Sequence, residues 1–346
     1  MSENELNVQH YEDEIDLREL ILTLWKQKHV IISTTLIATI LAGLFSVFIL
    51  SPVYDTRLNI VINMPEIYNT RYGEYKLPIT TNEQYINLIK SNDVLINTIS
   101  QMGYKASEVS VDDLRKKIAI GQVTAKADAV QNSFDITVSA STPQESLKLA
   151  QTLYDNYIEF LNVMTKERAV GYYYNNFNVE LKKMQISLKS NQELLKKNEE
   201  LLAQIPQTID QKEAIKEIAS GSANTSHFVV LENIINPNYT KVENDIILNK
   251  QTINGIEDSI RMHNEYLAEL DSEKQAITKY YEDGKIGQLE SSLIGVVKTS
   301  VYLPSPPVAP TQKTSPRNAL NVAIGIVLGG MLGVMIVFVR EWFKKD

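Results

Sequence analysis

The chain has 346 residues, 44% of them hydrophobic, a net charge of −8 and no cysteine. No large basic run offsets the acidity, which argues against nucleic acid as a partner, and the missing thiols exclude disulfides, thiol nucleophiles and thiolate metal sites. Only His10, His29, His227 and His263 remain as imidazole ligands, with no pair at a metal-binding spacing, so neither metal nor other cofactor is expected.

Residues 1–29 read as a cytoplasmic N-terminus with an interfacial amphipathic helix. Met1–Asp13 is polar and acidic, unlike the positive start of a cleaved signal peptide, so this end is expected to be retained. From Asp16, whose spacing to Glu19 has the form of a capping box, Leu17, Leu20, Ile21 and Leu24 follow helical periodicity up to Trp25, Lys26 and Lys28. Residues 30–50 carry no charge and are long enough to be a first transmembrane helix. Ser33, Thr34, Thr35, Thr39 and Ser46 are tolerable there because hydroxyls bond to the preceding turn. Ala38 and Ala42 form a small-xxx-small pair suited to a close-packed partner helix.

Residues 51–142 and 284–303 are assigned to an α+β base. Thr56–Asn63 and Ser133–Ala140 alternate as half-buried strands, Met64–Thr81 reads as a loop, and Asn82–Met102 reads as one helix ending at Gly103. Ser110 with Asp113 marks a short helix, and Ile118–Thr124 a strand interrupted by Gly121. Leu293–Leu303 is expected to return as a strand through Val297, Thr299, Val301 and Leu303.

Residues 143–283 form a long helical arm. Thr142-Pro143-Gln144-Glu145 is a strong helix start, and no proline follows until Pro206, a reach of about 95 Å. Phe177, Leu181, Met184, Leu188, Leu195, Leu202 and Ile205 make a heptad-like stripe that includes Asn191 and Asn198; the lysines and glutamates opposite it read as a solvated face. Pro206–Asn238 breaks the pattern at Gly221, Ser222 and Asn224, and a return helix over about Thr240–Tyr281 carries Ile246, Ile253, Ile256, Ile260, Leu267, Leu270 and Ile277. His263 and Lys274 occupy stripe positions, either fixing the register of the antiparallel pair or meeting neighbouring subunits. Tyr172, Tyr173 and Tyr174 point in three directions from a helix and are read as packing and surface residues, not as a sugar platform. Gly284 and Gly287 end the arm.

Residues 304–318 are a proline-rich tether, 319–339 a second transmembrane helix and 340–346 a cytoplasmic tail. Gly325, Gly329 and Gly333 recur every four residues, with Gly330 beside them, along a side fit for close approach. Arg18, Lys26 and Lys28 precede the first span, and Arg340, Lys344 and Lys345 follow the second, so both ends are expected in the cytoplasm with Trp25 and Trp342 at one interface. The large domain then lies outside the cytoplasm, and the seven-residue tail is too short for a kinase or cyclase. The fold class is therefore an α+β membrane protein: two transmembrane helices flanking an α/β base with a long antiparallel, coiled-coil-like arm.

The stretch Pro307-x2-Pro310-x4-Ser315-Pro316-Arg317-x11-Gly329-Gly330-Met331-x-Gly333 resembles the proline-rich motif and second span of the Wzz polysaccharide co-polymerases. Ile15-Asp16-Leu17 and Leu24-Trp25-Lys26 are similar to that family's approach to its first span. Arg317 stands where the family commonly has lysine, and Val334 and Met335 where small residues often follow. The resemblance implies an inner-membrane protein of a Gram-negative bacterium with a periplasmic base and arm, a ring-like homo-oligomer, a Wzy-type polymerase as partner and an undecaprenyl-linked polysaccharide as the material acted on. The GxxxxGK[ST] loop of kinase-bearing relatives is absent.

Two functions fit: a non-catalytic scaffold that sets the length of O-antigen or a related polymer, and an adaptor coupling polysaccharide export across the envelope. An enzyme acting on glycans would need two carboxylates across a cleft, and the acidic residues are instead spread over helix faces.

Overall fold

In the computed structural model, the described residues are 17–105, 107–121, 132–210, 233–284, 289 and 293–345. The readings placed on His10, Asp16, Gly221, Ser222, Asn224, His227 and Gly287 lie outside them.

The chain opens with α1 (Leu17–Lys26) and α2 (Lys28–Leu44), the latter running on through a wide π turn over Phe45–Ile49. β1 (Tyr54–Ile62) follows as expected, with Leu58, Ile60 and Ile62 buried. Met64–Thr81, read as a loop, instead holds a hairpin of β2 (Ile67–Thr70) and β3 (Gly73–Lys76). Its four-residue strands are too short to show alternation, and the two-residue turn depends on Gly73 at φ +114°.

The single helix expected over 82–102 is two. α3 (Asn82–Asn87), capped by Thr81, gives way through a 3₁₀ turn to an extended Ser91, from which α4 (Asn92–Met102) starts; it closes on Gly103 at φ +73°. α5 (Val111–Lys116) has the Ser110/Asp113 capping box in full. β4 (Ile118–Ile120) stops at Gly121, where an added Cβ would stand 3.1 Å from the Asp135 carbonyl oxygen.

β5 (Ser133–Ala140) pairs antiparallel with β1 from Tyr54↔Ala140 to Val61↔Ser133. α6 (Pro143–Leu202) is one 60-residue helix, about 90 Å long. Thr142 accepts from the Glu145 N–H, while the Glu145 carboxylate reaches the N–H of Ser141, one residue before the expected cap. Beyond it, the segment expected to lack pattern contains the short antiparallel pair β6 (Thr208–Asp210) and β7 (Asn233–Ile235). α7 (Pro237–Glu282) starts at Asn236, whose side chain accepts from the Asn238 N–H and donates to the Pro206 carbonyl.

The return expected as a strand over Leu293–Leu303 is mostly α8 (Val296–Ser300), with only β8 (Val301–Tyr302) extended. Consecutive Val296 and Val297 are both buried, which a helical turn permits and strand alternation does not. α9 (Asn318–Lys345) continues helically past 339 through the described residues of the tail.

Two compact units result: Met1–Met64 with Thr81–Ile158 and Ser300–Asp346, and Pro65–Thr80 with Glu159–Thr299. The division falls inside α6 after Ile158, where the sequence reading places it at 143, and residues 293–299, read as part of the base, fall in the second unit. In the first unit the sheet order is β4-β5-β1-β8, all antiparallel. α6 is held to it by Thr56 against Ser146 (2.8 Å) and to α3 by the Tyr157 hydroxyl donating to the Tyr85 carbonyl (2.9 Å). In the second unit, α6 and α7 run antiparallel, joined at Lys166–Glu273 (2.6 Å), Glu180–His263 (2.9 Å) and Glu199–Lys250 (3.1 Å).

Candidate transmembrane packing interface

α2 with its π turn and α9 are the two described helices long and apolar enough to cross a membrane, over Lys28–Ile49 and Asn318–Phe343. Most of their large apolar side chains, such as Leu36, Phe48, Leu328 and Met331, are exposed, as lipid-facing residues would be. The exception is one side of each helix. On α9, Gly325, Gly329, Gly333 and Val337 are buried at a spacing of four; on α2, the facing positions are Ile31, Thr34, Thr35, Ala38, Thr39 and Ala42.

A Cβ added to Gly325 would stand 2.7 Å from the Ala42 Cβ, and one on Gly329 2.7 Å from the Ala38 Cβ and 2.8 Å from the Thr35 Cα. On Gly333 it would collide with the Thr34 hydroxyl and come within 2.9 Å of the Ile31 Cα. These neighbours include backbone, so the axes approach only because the glycines lack side chains. Gly330 is different: it is half-buried, and its nearest neighbour would be the Thr35 hydroxyl at 3.9 Å. Thr34, Thr35 and Thr39 donate back to carbonyls of their own helix, so the face is chemically quiet as well as thin.

Polar bonds close both ends of the ladder. The π turn presents fully buried Ser46, which donates to the Asn318 side-chain oxygen (3.0 Å) and accepts from the Asn321 amide (2.8 Å). At the other end the Gln27 amide donates to Glu341 (2.9 Å). Sequence reasoning missed Asn318, Asn321 and Gln27, and read Ser46 as a hydroxyl bonded to its own preceding turn where it bonds instead across to α9; the readable signal is Asn318 and Asn321, three apart at the start of an otherwise apolar helix.

The proline-rich segment meets the chain where the first span ends. The Val53 N–H donates to the Ser315 carbonyl (2.9 Å), and the Thr314 N–H to the Val53 carbonyl (2.8 Å). Pro316 is buried, Pro307 and Pro310 are half-buried, and Arg317 is exposed. Lys313 donates to Asn318 (3.2 Å). Prolines lack the N–H that would continue a ladder, so the tether is fixed at its end and not along its length.

A second constellation lies in the second unit. Tyr72, at the tip of the β2–β3 hairpin, sits among the rings of Tyr173, Phe177 and Tyr266, with centroids 5.1–5.5 Å away. Its hydroxyl donates to Glu269 (2.6 Å), which also pairs with Arg71 (2.8 Å). Tyr173 donates to the Gly73 carbonyl (2.8 Å), and His263 stacks edge-on against Phe177. Burial pushes the Tyr72 phenol above the usual tyrosine range, and the bond to Glu269 pushes it the same way; burial also raises Tyr75. Of the three consecutive tyrosines, Tyr173 is buried, Tyr174 lies under the Lys274 ammonium, and Tyr172 is half exposed. Among the described residues no group of acidic and histidine side chains is arranged to hold a metal ion.

Residues 13–102 match the family model described as Wzz, chain length determinant protein. The chain is 27% identical over 141 residues to the probable capsular polysaccharide biosynthesis protein YwqC of Bacillus subtilis (strain 168), covering 40% of this chain and 53% of that protein. It is 27% identical over 143 residues to the capsular polysaccharide biosynthesis protein CpsC of Streptococcus pneumoniae, covering 40% and 59%. The match thus spans little more than half the length of these curated relatives. Among solved structures, a full-length bacterial polysaccharide co-polymerase aligns over 96% of this chain and 99% of that one, at 14% identity and a TM-score of 0.44. The family-model match runs from the approach to the first apolar helix through the end of α4.

Proposed function

We propose that the chain is a non-catalytic regulator of polysaccharide chain length, working as an oligomeric membrane scaffold beside a Wzy-type polymerase on an undecaprenyl-linked glycan. The observation that carries this reading is the Wzz match over residues 13–102, a stretch that includes α2, the helix packed on the glycine face of α9. The relatives' names favour a capsular polymer over O-antigen.

The two apolar helices support membrane insertion, and their antiparallel pairing, with Gln27 bonded to Glu341, supports a reading in which both outer ends lie at one surface. The lysines and arginines there, with Trp25 and Trp342 exposed beside them, support a cytoplasmic assignment for that surface. The base and arm then act outside the cytoplasm, with 304–318 as tether. Gly325, Gly329, Gly333, Ala38 and Ala42 hold the spans together; Pro307, Pro310, Ser315, Pro316 and Arg317 fix where the second span begins.

The test is the size distribution of surface polysaccharide from cells with and without the chain. Loss of a modal cluster in favour of short, random lengths is the expected outcome. Abolished surface polymer with material retained inside would instead establish an export adaptor.

A further inference from the structure

At the end of the spans opposite Trp25 and Trp342, two cations stand at the edge of the apolar band. Asn318, the first residue of α9, is bonded to Ser46 of the π turn (3.0 Å), and exposed Phe48 and Leu320 beside them mark where that band begins. Arg317 immediately precedes Asn318 and is exposed. Lys313 is also exposed, and although it comes five residues before Asn318, its ammonium reaches back to within 3.2 Å of the Asn318 side-chain oxygen. Backbone bonds from Ser315 and Thr314 to Val53 tie the segment that carries both charges to the start of β1.

No acid offsets these charges locally. The sequence has no aspartate or glutamate from Pro304 to Val339, and none from Val30 to Tyr54. The next carboxylate, Asp55, is half-buried and accepts from the Ser139 hydroxyl (2.7 Å). Among the described residues neither Lys313 nor Arg317 forms an ion pair, and the partner of the lysine is a neutral amide whose oxygen Ser46 already shares. Two uncompensated cations are a local exception in a chain of net charge −8. They are also an exception to the tendency of lysine and arginine to gather at cytoplasmic ends.

Below the cations the outer side of α9 is shaped as well as apolar. At helical spacing Arg317 continues the line of Leu320, Ile324 and Leu328, on the side away from the glycines. Ala323, Ile324, Val327 and Leu328 line a shallow apolar groove there, which starts about 9 Å along the axis from Arg317.

We propose that Lys313 and Arg317 are a docking surface for the headgroup phosphate of an anionic phospholipid, with an acyl chain lying in the groove beneath. A guanidinium offers paired N–H donors to phosphate oxygens and an ammonium adds a point charge, so together they suit one such headgroup. This surface presupposes the membrane reading of the two apolar helices given above and is independent of length control.

Because the chain has no cysteine, a single introduced one can report on this end alone. Full-length Q312C carrying a nitroxide is reconstituted in vesicles of phosphatidylcholine and phosphatidylglycerol, and the phosphorus resonance of each lipid is followed by magic-angle-spinning NMR. Phosphatidylglycerol is expected to broaden more than phosphatidylcholine, by about fivefold for each cation in place, the worth of one basic side chain near an anionic surface. Adding K313Q and R317Q to Q312C should bring the two lipids to parity. Equal broadening without those two substitutions, or a preference that survives them, would overturn the docking surface and leave the membrane reading standing. Broadening of neither lipid would overturn both. Inorganic phosphate added to the same vesicles should stay sharp; broadening as strong as that of phosphatidylglycerol would show a surface for free phosphate and overturn the lipid assignment.

Discussion

At Gly329 one methyl group is already too large. Its Cβ would stand 2.8 Å from the Thr35 Cα, and a backbone atom cannot rotate away, so G329A should force the spans apart and G329L more so. G330A, with 3.9 Å of clearance, should be tolerated. Thermal unfolding in detergent, read beside polysaccharide length, checks the contrast: lower stability and shifted length at 329, neither at 330. Replacing Asn321 with leucine removes a bond to buried Ser46, at a cost on the order of 0.6–2 kcal/mol for an interhelical bond in a membrane. The tyrosines add a pH dependence. Burial raises Tyr72, Tyr75 and Tyr157, so the folded chain holds these phenol protons more tightly than the unfolded one, whose tyrosines ionise near about 10. Their contribution is whole below that pH and is lost as pH rises through the higher folded values. Tyrosinate absorbance should accordingly lag behind that of free tyrosine and appear together with loss of helical signal.

Among elements, the arm is the most exposed to test. Proline at Leu188 removes an intrahelical bond in the middle of α6, at a cost of about 3 kcal/mol, and should shift polymer length while the paired spans remain. Y72A should loosen the hairpin from the arm, since it removes three ring contacts and the bond to Glu269. α6, α7 and both spans were legible because each repeats one pattern over many turns, and Thr142-Pro143 announces its helix with local chemistry. The β2–β3 hairpin was not, since its strands are four residues long and its anchors lie about a hundred residues away on α6 and farther still on α7. α8 was mistaken for strand because valine and threonine favour extension locally, and burial of adjacent Val296 and Val297 overrode them. In the spans, Ala38 and Ala42 were readable as small residues, but Thr34 and Thr35 read only as tolerated hydroxyls. Their role against α9 depends on which side of α2 faces a helix nearly three hundred residues later.

For the whole molecule, the glycine ladder settles what the membrane segment has left to offer. The side of α9 on which another backbone can come close is taken up by the chain's own α2, from Ala42 down to Ile31. What remains toward the lipid is a coat of bulky, flexible hydrocarbon such as Leu36, Ile40, Leu328 and Met335. Any protein that meets this one within the bilayer meets a surface that grips loosely and reads little. For the scaffold proposed above, specific recognition of a neighbour would therefore fall to the parts outside the hydrocarbon, the spans offering only loose apolar contact.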